Sequence, residues 1–229
     1  MSTQRDPAGG EIRAPLTRDR VLRAAVALAD EEGIESLSMR RLAQQLGVEA
    51  MSLYYHVANK PDLLEQMLDI VFGEMELPSD RGGWRQAMRA SAISAHQVLL
   101  RHPWACRLLM SPTGPSPARL RWMNAILGRL RGAGFSAEMT HHAYHALDSH
   151  IVGFTLWVLP YLAIARERPD FAQEFMARTP LDELPHLAEH IQVHLSDRAG
   201  DTSEFDFGLD LVLDGLERSL DGRPGARRR

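Results

Sequence analysis

Apolar residues recur along most of the chain at steps of three and four, the spacing that lines one face of an α-helix, and no stretch shows a convincing strand or hairpin pattern. The first stripe, Val21, Ala25 and Leu28, follows Thr17, whose hydroxyl can cap a helix, and stops at Gly33. Ser38 opens a second, short helix through Leu46, Gly47 is placed to end it in the left-handed region, and a third short helix runs through His56. Asn59 caps a fourth, with Asp62 suited to the reciprocal cap and Leu64, Met67, Leu68, Val71 and Met75 along one side. Later stripes predict a helix from Trp84 to Leu99, one near Arg119 to Arg131, and a long one carrying Leu147, Ile151, Phe154, Val158 and Tyr161. A last helix, from about Glu204 to Leu220, presents Phe205, Leu209, Val212, Leu216 and Leu220. LPSDRGG, SPTGPSPA, GAGFS and the loop LSDRAGDTSE punctuate these, and residues 1–16 and the basic 222–229 read as mobile tails. The pattern predicts an all-α protein.

The spacing between Ser38 and Val57 has a more specific consequence. Leu42 and Leu46 share a face, as do Leu53 and Val57, and Ala43 is small enough for two helices to cross closely. Anchoring the third helix by Leu53 and Val57 turns Met51, Ser52 and Tyr55 outward, with Tyr54 at the flank. This is a helix-turn-helix with a reading helix narrow enough for a DNA major groove. Lys60 then stands at a helix N-terminus, where free amides suit a phosphate oxygen. A small helical hairpin whose tyrosines merely pack fits the same spacing.

Charge narrows the choice. A net charge of −4 excludes a protein that coats nucleic acid generally, so any contact with a polyanion is local. Residues 38–60 supply Arg40, Arg41 and Lys60, the chain's one lysine, against Glu49 alone. The single cysteine, Cys106, excludes an intramolecular disulfide and points to a reducing compartment. The N-terminus has no apolar signal segment and no later segment approaches the roughly 20 apolar residues of a membrane span, so a cytoplasmic location without membrane contact is expected.

The stretch LSMRRLAQQLGVEAMSLYYHVANKPDLL resembles the DNA-binding domain of the TetR family of bacterial transcriptional repressors. A basic residue early in the second helix, a Leu-Ala pair, Leu-Gly-Val at the turn, Leu-Tyr-x-His-Val and Asn-Lys carry the likeness; ALDSHIVGF and FDFGLDLVLDGLE are similar to C-terminal segments of many members. The resemblance implies an N-terminal three-helix DNA-binding domain over 17–63 and a larger helical effector-binding and dimerisation domain over 64–221. It implies that Tyr54 and Lys60 hold phosphates, and that Arg40, Ser52, Tyr55 and His56 face base edges or backbone, within a contact set that includes Ser38, Met39, Ala50 and Met51. Ala50 and Met51 depart from members with hydrogen-bonding side chains there; apolar groups can meet a thymine methyl but cannot make bidentate pairs, so the operator is not legible.

One short helix reads few base pairs, so a homodimer on a palindromic double-stranded operator is expected. The stripes of Leu147 and Ile151 and of Phe205, Leu209, Val212 and Leu216 are assigned to its interface. By the same resemblance a small, largely apolar effector fills a pocket, assigned to Met67, Met88, Met110, Met123, Phe154, Trp157 and Tyr161, and releases the DNA. Histidines recur every four residues at His186, His190 and His194 and cluster at His141, His142, His145 and His150, but three on one stripe drift about 40° per step and do not converge on a metal. No G-x-S-x-G, H-E-x-x-H or Walker loop is present, so neither catalysis nor a cofactor is expected, and Cys106 reads as inert core. The competing reading is a helical metal- or small-molecule-binding protein with no transcriptional role, which would show neither salt-dependent nor sequence-selective DNA binding.

Overall fold

The computed structural model describes residues 15–109, 116–168, 170–195 and 203–221, and all regular secondary structure among them is helical. Most of the proposed N-terminal tail, the whole C-terminal tail and most of the LSDRAGDTSE loop lie outside the described residues. The chain divides between Leu63 and Leu64 into two compact units.

The first unit holds α1 (Arg18–Glu32), α2 (Met39–Leu46), α3 (Ala50–Leu53) and the opening turn of α4 (Lys60–Glu74). Its caps are those the sequence requires. Thr17 Oγ1 accepts the Arg20 N–H at 3.2 Å and Ser38 Oγ the Arg41 N–H at 3.1 Å. Gly47 takes φ 66° and ψ 38°, a conformation only glycine adopts cheaply, and this lets the Val48 N–H close back on the Ala43 carbonyl at 3.0 Å. Asn59 Oδ1 accepts from the Asp62 N–H, while Asp62 Oδ2 accepts from the Ala58 N–H, so two otherwise orphaned donors are met reciprocally. Val21, Ala25, Leu28, Leu42, Leu53 and Val57 are buried, and Ala43 sits in the α2 face as the small residue of the turn-flanking helices. Each fully buried Leu or Val contributes about 1.5–3 kcal/mol, which is how a unit with so few long helices holds together. The third helix is shorter than its pattern implied: α3 is one turn, and the chain then passes through looser turns in which Leu53 O accepts from both the His56 and Val57 amides.

The second unit contains the body of α4, α5 (Trp84–Arg101), α6 (Pro103–Leu109), α7 (Pro117–Gly132), α8 (Ala137–Glu167), α9 (Phe171–Arg178), a 3₁₀ turn (Leu181–Glu183), α10 (Pro185–Leu195) and α11 (Glu204–Asp221). α5, α7 and α11 pack on α8, and α5 also packs on α11. α5 gives Ala87, Ala92 and Ala95 to the interior beside Met88, Val98 and Leu99, so small side chains allow close helix approach. Arg85 and Arg89 of α5 face the acidic side of α11, with Arg85 2.7 Å from Asp214 and Arg89 3.1 Å from Asp210. Asp69 of α4 accepts from the Ala118 N–H and fixes the start of α7.

One expectation is corrected by the burial pattern of this unit. Leu147, Ile151, Phe205, Leu209 and Leu216, assigned to a dimer interface, are buried within their own protomer, and Val212 is half-buried; side chains already withdrawn from solvent have almost no surface left to give a second copy. α8, at 31 residues, is long and apolar enough by length and composition alone to cross a membrane, a test that the core helix of a soluble protein also passes. Its first half spends that apolarity on the interior through Ala143, Tyr144, Leu147 and Ile151, whereas its second half leaves Trp157, Tyr161 and Leu162 about half exposed.

Candidate nucleic-acid interface and effector cavity

Because Leu53 and Val57 are fixed in the first unit's core, the residues between and before them have no choice of direction. Met51 is 72% exposed and Tyr55 86% exposed, the most open large apolar groups among the described residues. Tyr54 is 45% exposed; Ala50, Ser52 and His56 are half-buried beside them. Ser38 and Arg40 are exposed and Met39 half-buried at the start of α2. The structure thus brings Ala50 to His56 onto one short segment, as the spacing required.

The electropositive island is smaller than composition suggested. Arg41 donates to Glu32 of α1 through both its Nε and a terminal nitrogen, and that bonded pairing lowers the Glu32 carboxyl below its ordinary range. Its charge is spoken for, which leaves Arg40 and Lys60 as the outward cations of the motif. Lys60 is exposed, yet its Nζ donates to the Leu37 carbonyl at 2.6 Å, tying the first residue of α4 to the turn before α2. An ammonium has three donors, so a phosphate oxygen can still be met.

The match to known proteins follows the same division. Residues 21–67 match the family model described as bacterial regulatory proteins, tetR family, and residues 77–220 the model described as tetracyclin repressor-like, C-terminal domain. The chain belongs to the TetR family of transcriptional regulators. It is 37% identical to the HTH-type transcriptional repressor DrrR1 of Streptomyces coeruleorubidus, over 97% of this chain and 85% of that one. Among solved structures it resembles a possible TetR family transcriptional regulator from Streptomyces coelicolor A3(2), with TM-score 0.74, 30% identity and 88% and 99% of the two chains covered. It is also similar to the Streptomyces coelicolor TetR family protein ActR in complex with actinorhodin, with TM-score 0.68, 29% identity and 90% and 99% coverage. As a TetR-family member the chain is a DNA-binding transcriptional regulator.

The second unit of this TetR-family regulator contains a cavity of about 290 Å³. Phe72 of α4 and Leu109 of α6 form part of its wall, Arg119 and Trp122 of α7 another part, and Tyr144, Asp148, Ser149, Val152, Gly153 and Leu156 of α8 the rest. Apolar lining with a few polar groups is the usual composition of a small-molecule site, and the volume lies near the lower end of the roughly 300–1,000 Å³ such sites occupy. Burial pushes the Asp148 carboxyl above its ordinary range, outweighing the Arg119 charge nearby. The Tyr144 phenol, buried and beside Asp148, rises to about 12.

None of the described side chains assigned to a pocket from sequence lines this one. Met67 and Met88 are fully buried core, Met123 and Phe154 are half-buried elsewhere, Trp157 and Tyr161 are half exposed, and Met110 lies outside the described residues. Bulk and flexibility mark a residue as apolar without saying whether its surroundings are filled. A better signal was available: Arg119 with Trp122, and Tyr144 with Asp148, stand three and four apart and so put polar groups on helix faces otherwise turned inward.

Elsewhere, Cys106 is fully buried and its thiol is pushed up to about 11 by desolvation, which removes it as a nucleophile at neutral pH. Among the described residues no three His, Cys, Asp or Glu side chains are grouped to hold a metal ion.

Proposed function

We propose that this regulator is a homodimeric repressor that binds a palindromic operator in the cytoplasm and is released by a small, largely apolar effector. In this reading Tyr54 and Lys60 hold phosphates and fix register, while Arg40, Ser52, Tyr55 and His56 reach base edges or adjacent backbone, with Met51 and Ala50 against apolar edges such as thymine methyls. The observation that carries it is the outward placement of Met51 on α3 and of Tyr55 in the turn that follows, held from behind by Leu53 and Val57. Exposing large apolar groups has a cost in water that contact with a groove recovers.

A second copy is required because one such turn spans too few base pairs for useful affinity. Support for where it docks comes from the exposed apolar groups Trp157, Tyr161 and Leu162 on α8 and Phe207 and Leu211 on α11. The cavity is proposed as the effector site. α4 carries Phe72 in its wall and Lys60 in its first turn, so a ligand preferring one setting of α4 would change DNA affinity. A differential of 1–3 kcal/mol corresponds to about 5–150-fold.

Selection of binding sites from a random duplex library tests the proposal. Recovered sequences are expected to contain an inverted repeat with half-sites about one helical turn apart; recovery of single unrepeated half-sites would overturn the dimeric reading, and no enrichment at all would overturn operator recognition by these residues.

A further inference from the structure

Phe205, the second residue of α11, is buried and is held by two imidazoles that come from different helices. His96 of α5 stacks on it nearly parallel, with ring centres 4.0 Å apart and planes inclined at 7°, and His150 of α8 stacks on it at 4.9 Å and 26°. Each imidazole is also hydrogen-bonded. His150 Nε2 lies 3.0 Å from the Phe205 carbonyl, which can only accept, so His150 donates there. His96 Nδ1 lies 2.7 Å from Thr155 Oγ1, whose own hydrogen goes to the Ile151 carbonyl at 2.6 Å, so His96 donates as well. With both rings neutral, His96 Nε2 and His150 Nδ1 are the nitrogens left to take a proton.

The end of α11 that they hold is weak in itself. Gly208 stands one turn into the helix, and glycine is the poorest helix former after proline. The His150 ring leaves no room for a better one, since a Cβ at this position would lie 2.5 Å from His150 Cε1. The first turn is therefore tied to its neighbours through Phe205 and the two histidines and through Asp206, which stands 3.5 Å from Arg89 of α5. Protonation loads this attachment. The charged groups that face His96 are His150 from α8, Asp206 from α11 and, two turns earlier on α5, Arg89, which already shares Asp206; Glu204 of the same turn of α11 is exposed. Burial and then His150 lower the His96 pKa, against Asp206. A single charge gains the attraction of the Phe205 face and of Asp206, whereas a second charge stacked on the same ring meets the first.

We propose that His96 and His150 form a proton-operated clasp on Phe205: neutral, they hold the first turn of α11 against α5 and α8, and charged, they release it. Phe207, two residues further on, is 62% exposed and belongs to the surface proposed above for a second copy, so release of the turn also withdraws a contact from the dimer. This second step rests on that reading of the dimer; the clasp itself does not.

Hydrogen–deuterium exchange of the full chain at pH 7.5 and 5.5, with each rate divided by the intrinsic chemical rate at that pH, tests the clasp. Protection of residues 204–209 is expected to fall severalfold at pH 5.5. The ceiling is about tenfold for each imidazole, the factor by which one pH unit below the free value of about 6.5 favours the open state. α7, which contains no histidine, is expected to keep its protection. His96→Gln combined with His150→Gln keeps a donor at each position and removes the titration, and is expected to hold protection of 204–209 nearly constant between the two pH values. Should the double variant fail to fold, His96→Gln by itself is expected to remove part of the acid loss. Constant protection in the unaltered chain overturns the clasp, as does an acid loss that survives undiminished in the variants. Sedimentation of the unaltered chain at the same two pH values separates the two steps. Acid loss of protection with an unchanged particle mass would remove Phe207 from the dimer contact and keep the clasp, whereas a mass that falls in acid while protection stays constant would overturn the clasp and keep the dimer.

Discussion

The helix-turn-helix unit and the second unit use exposed apolar surface in opposite ways. In the first, Met51, Tyr54 and Tyr55 crowd onto one segment of a few residues, held by a core of Leu42, Leu53 and Val57 and by caps that leave the local backbone little freedom. In the second, exposed apolar groups are spread over long helices, at Trp157, Tyr161 and Leu162 on α8 and at Phe207 and Leu211 on α11, while a cavity opens inside. A reading head must be rigid and presented in one direction; a sensor must keep space unfilled. Under the proposed function, recognition is concentrated where packing is tight, and response where it is incomplete.

The sharpest way to break this contrast is to cut the support behind the reading turn. Leu42→Ala is expected to lower stability by about 2–5 kcal/mol, measured by urea unfolding, because a fully buried Leu in a small core leaves a cavity little able to relax. Tyr55→Ala, two residues past the buried Leu53, is expected to change stability by less than about 0.5 kcal/mol while weakening operator binding. Equal stability losses in the two variants would mean that Tyr55 belongs to the core.

The second unit makes a parallel comparison possible on α11. Phe207→Asp is expected to shift the protein toward monomer in light scattering, at a cost on the order of 2 kcal/mol in association if Phe207 anchors the interface, without unfolding the protomer. Leu209→Asp, at a fully buried position on the same helix, is expected to unfold it instead. A dimer that persists unchanged in Phe207→Asp would move the interface to another face.

Lys60→Ala is expected to weaken binding to operator and to random duplex alike, and to reduce the salt slope of binding by about 1, as loss of one phosphate contact does. Loss of its bond to the Leu37 carbonyl adds a stability cost of about 1 kcal/mol, so the comparison of salt slopes, and not affinity alone, reports the phosphate role. Undiminished slope would confine Lys60 to holding the turn.

The smallest expected effect is in pH. His96 of α5 stacks on Phe205 of α11, ring centres 4.0 Å apart, and its Nδ1 lies 2.7 Å from Thr155 Oγ1. Thr155 spends its own proton on the Ile151 carbonyl, so His96 donates there as a neutral ring. Burial, and then the neighbouring His150, lower the His96 pKa, with Asp206 opposing. A folded-state pKa below the unfolded one means that the unfolded chain binds the proton more readily. This contribution is present above the unfolded value, near 6.5, and is lost as pH falls from there through the folded value. Thermal melts at pH 7.5 and 5.5 should show a drop that His96→Gln diminishes; an identical drop in the variant would place the titration elsewhere.

How much of this was legible before the fold was known differed between the two units. In the first, caps, turn glycine and anchors are all local in sequence: Ser38, Gly47 and Asn59 act on neighbours within a few residues, and the four-residue spacing of Leu53 and Val57 leaves Met51 and Tyr55 only one way to point. Even there the structure removed Arg41 from the outward charge, because its partner Glu32 lies on another helix. In the second unit the stripes located the helices and misassigned their faces. Leu147, Ile151, Phe205 and Leu209 were read as a surface for a second copy and are interior, and Met67 and Met88 were read as pocket and are packed core.

The sequence by itself determined the helical class, the position of the reading turn and the family, because capping, periodicity and turn chemistry are short-range and each residue type allows few conformations. Only the tertiary structure decided which apolar stripe faces solvent, that Lys60 is tied to Leu37, and that Trp122 borders an unfilled space. Periodicity reports that a helix face is apolar; what lies opposite that face, another helix, a void or water, depends on residues far away in the chain.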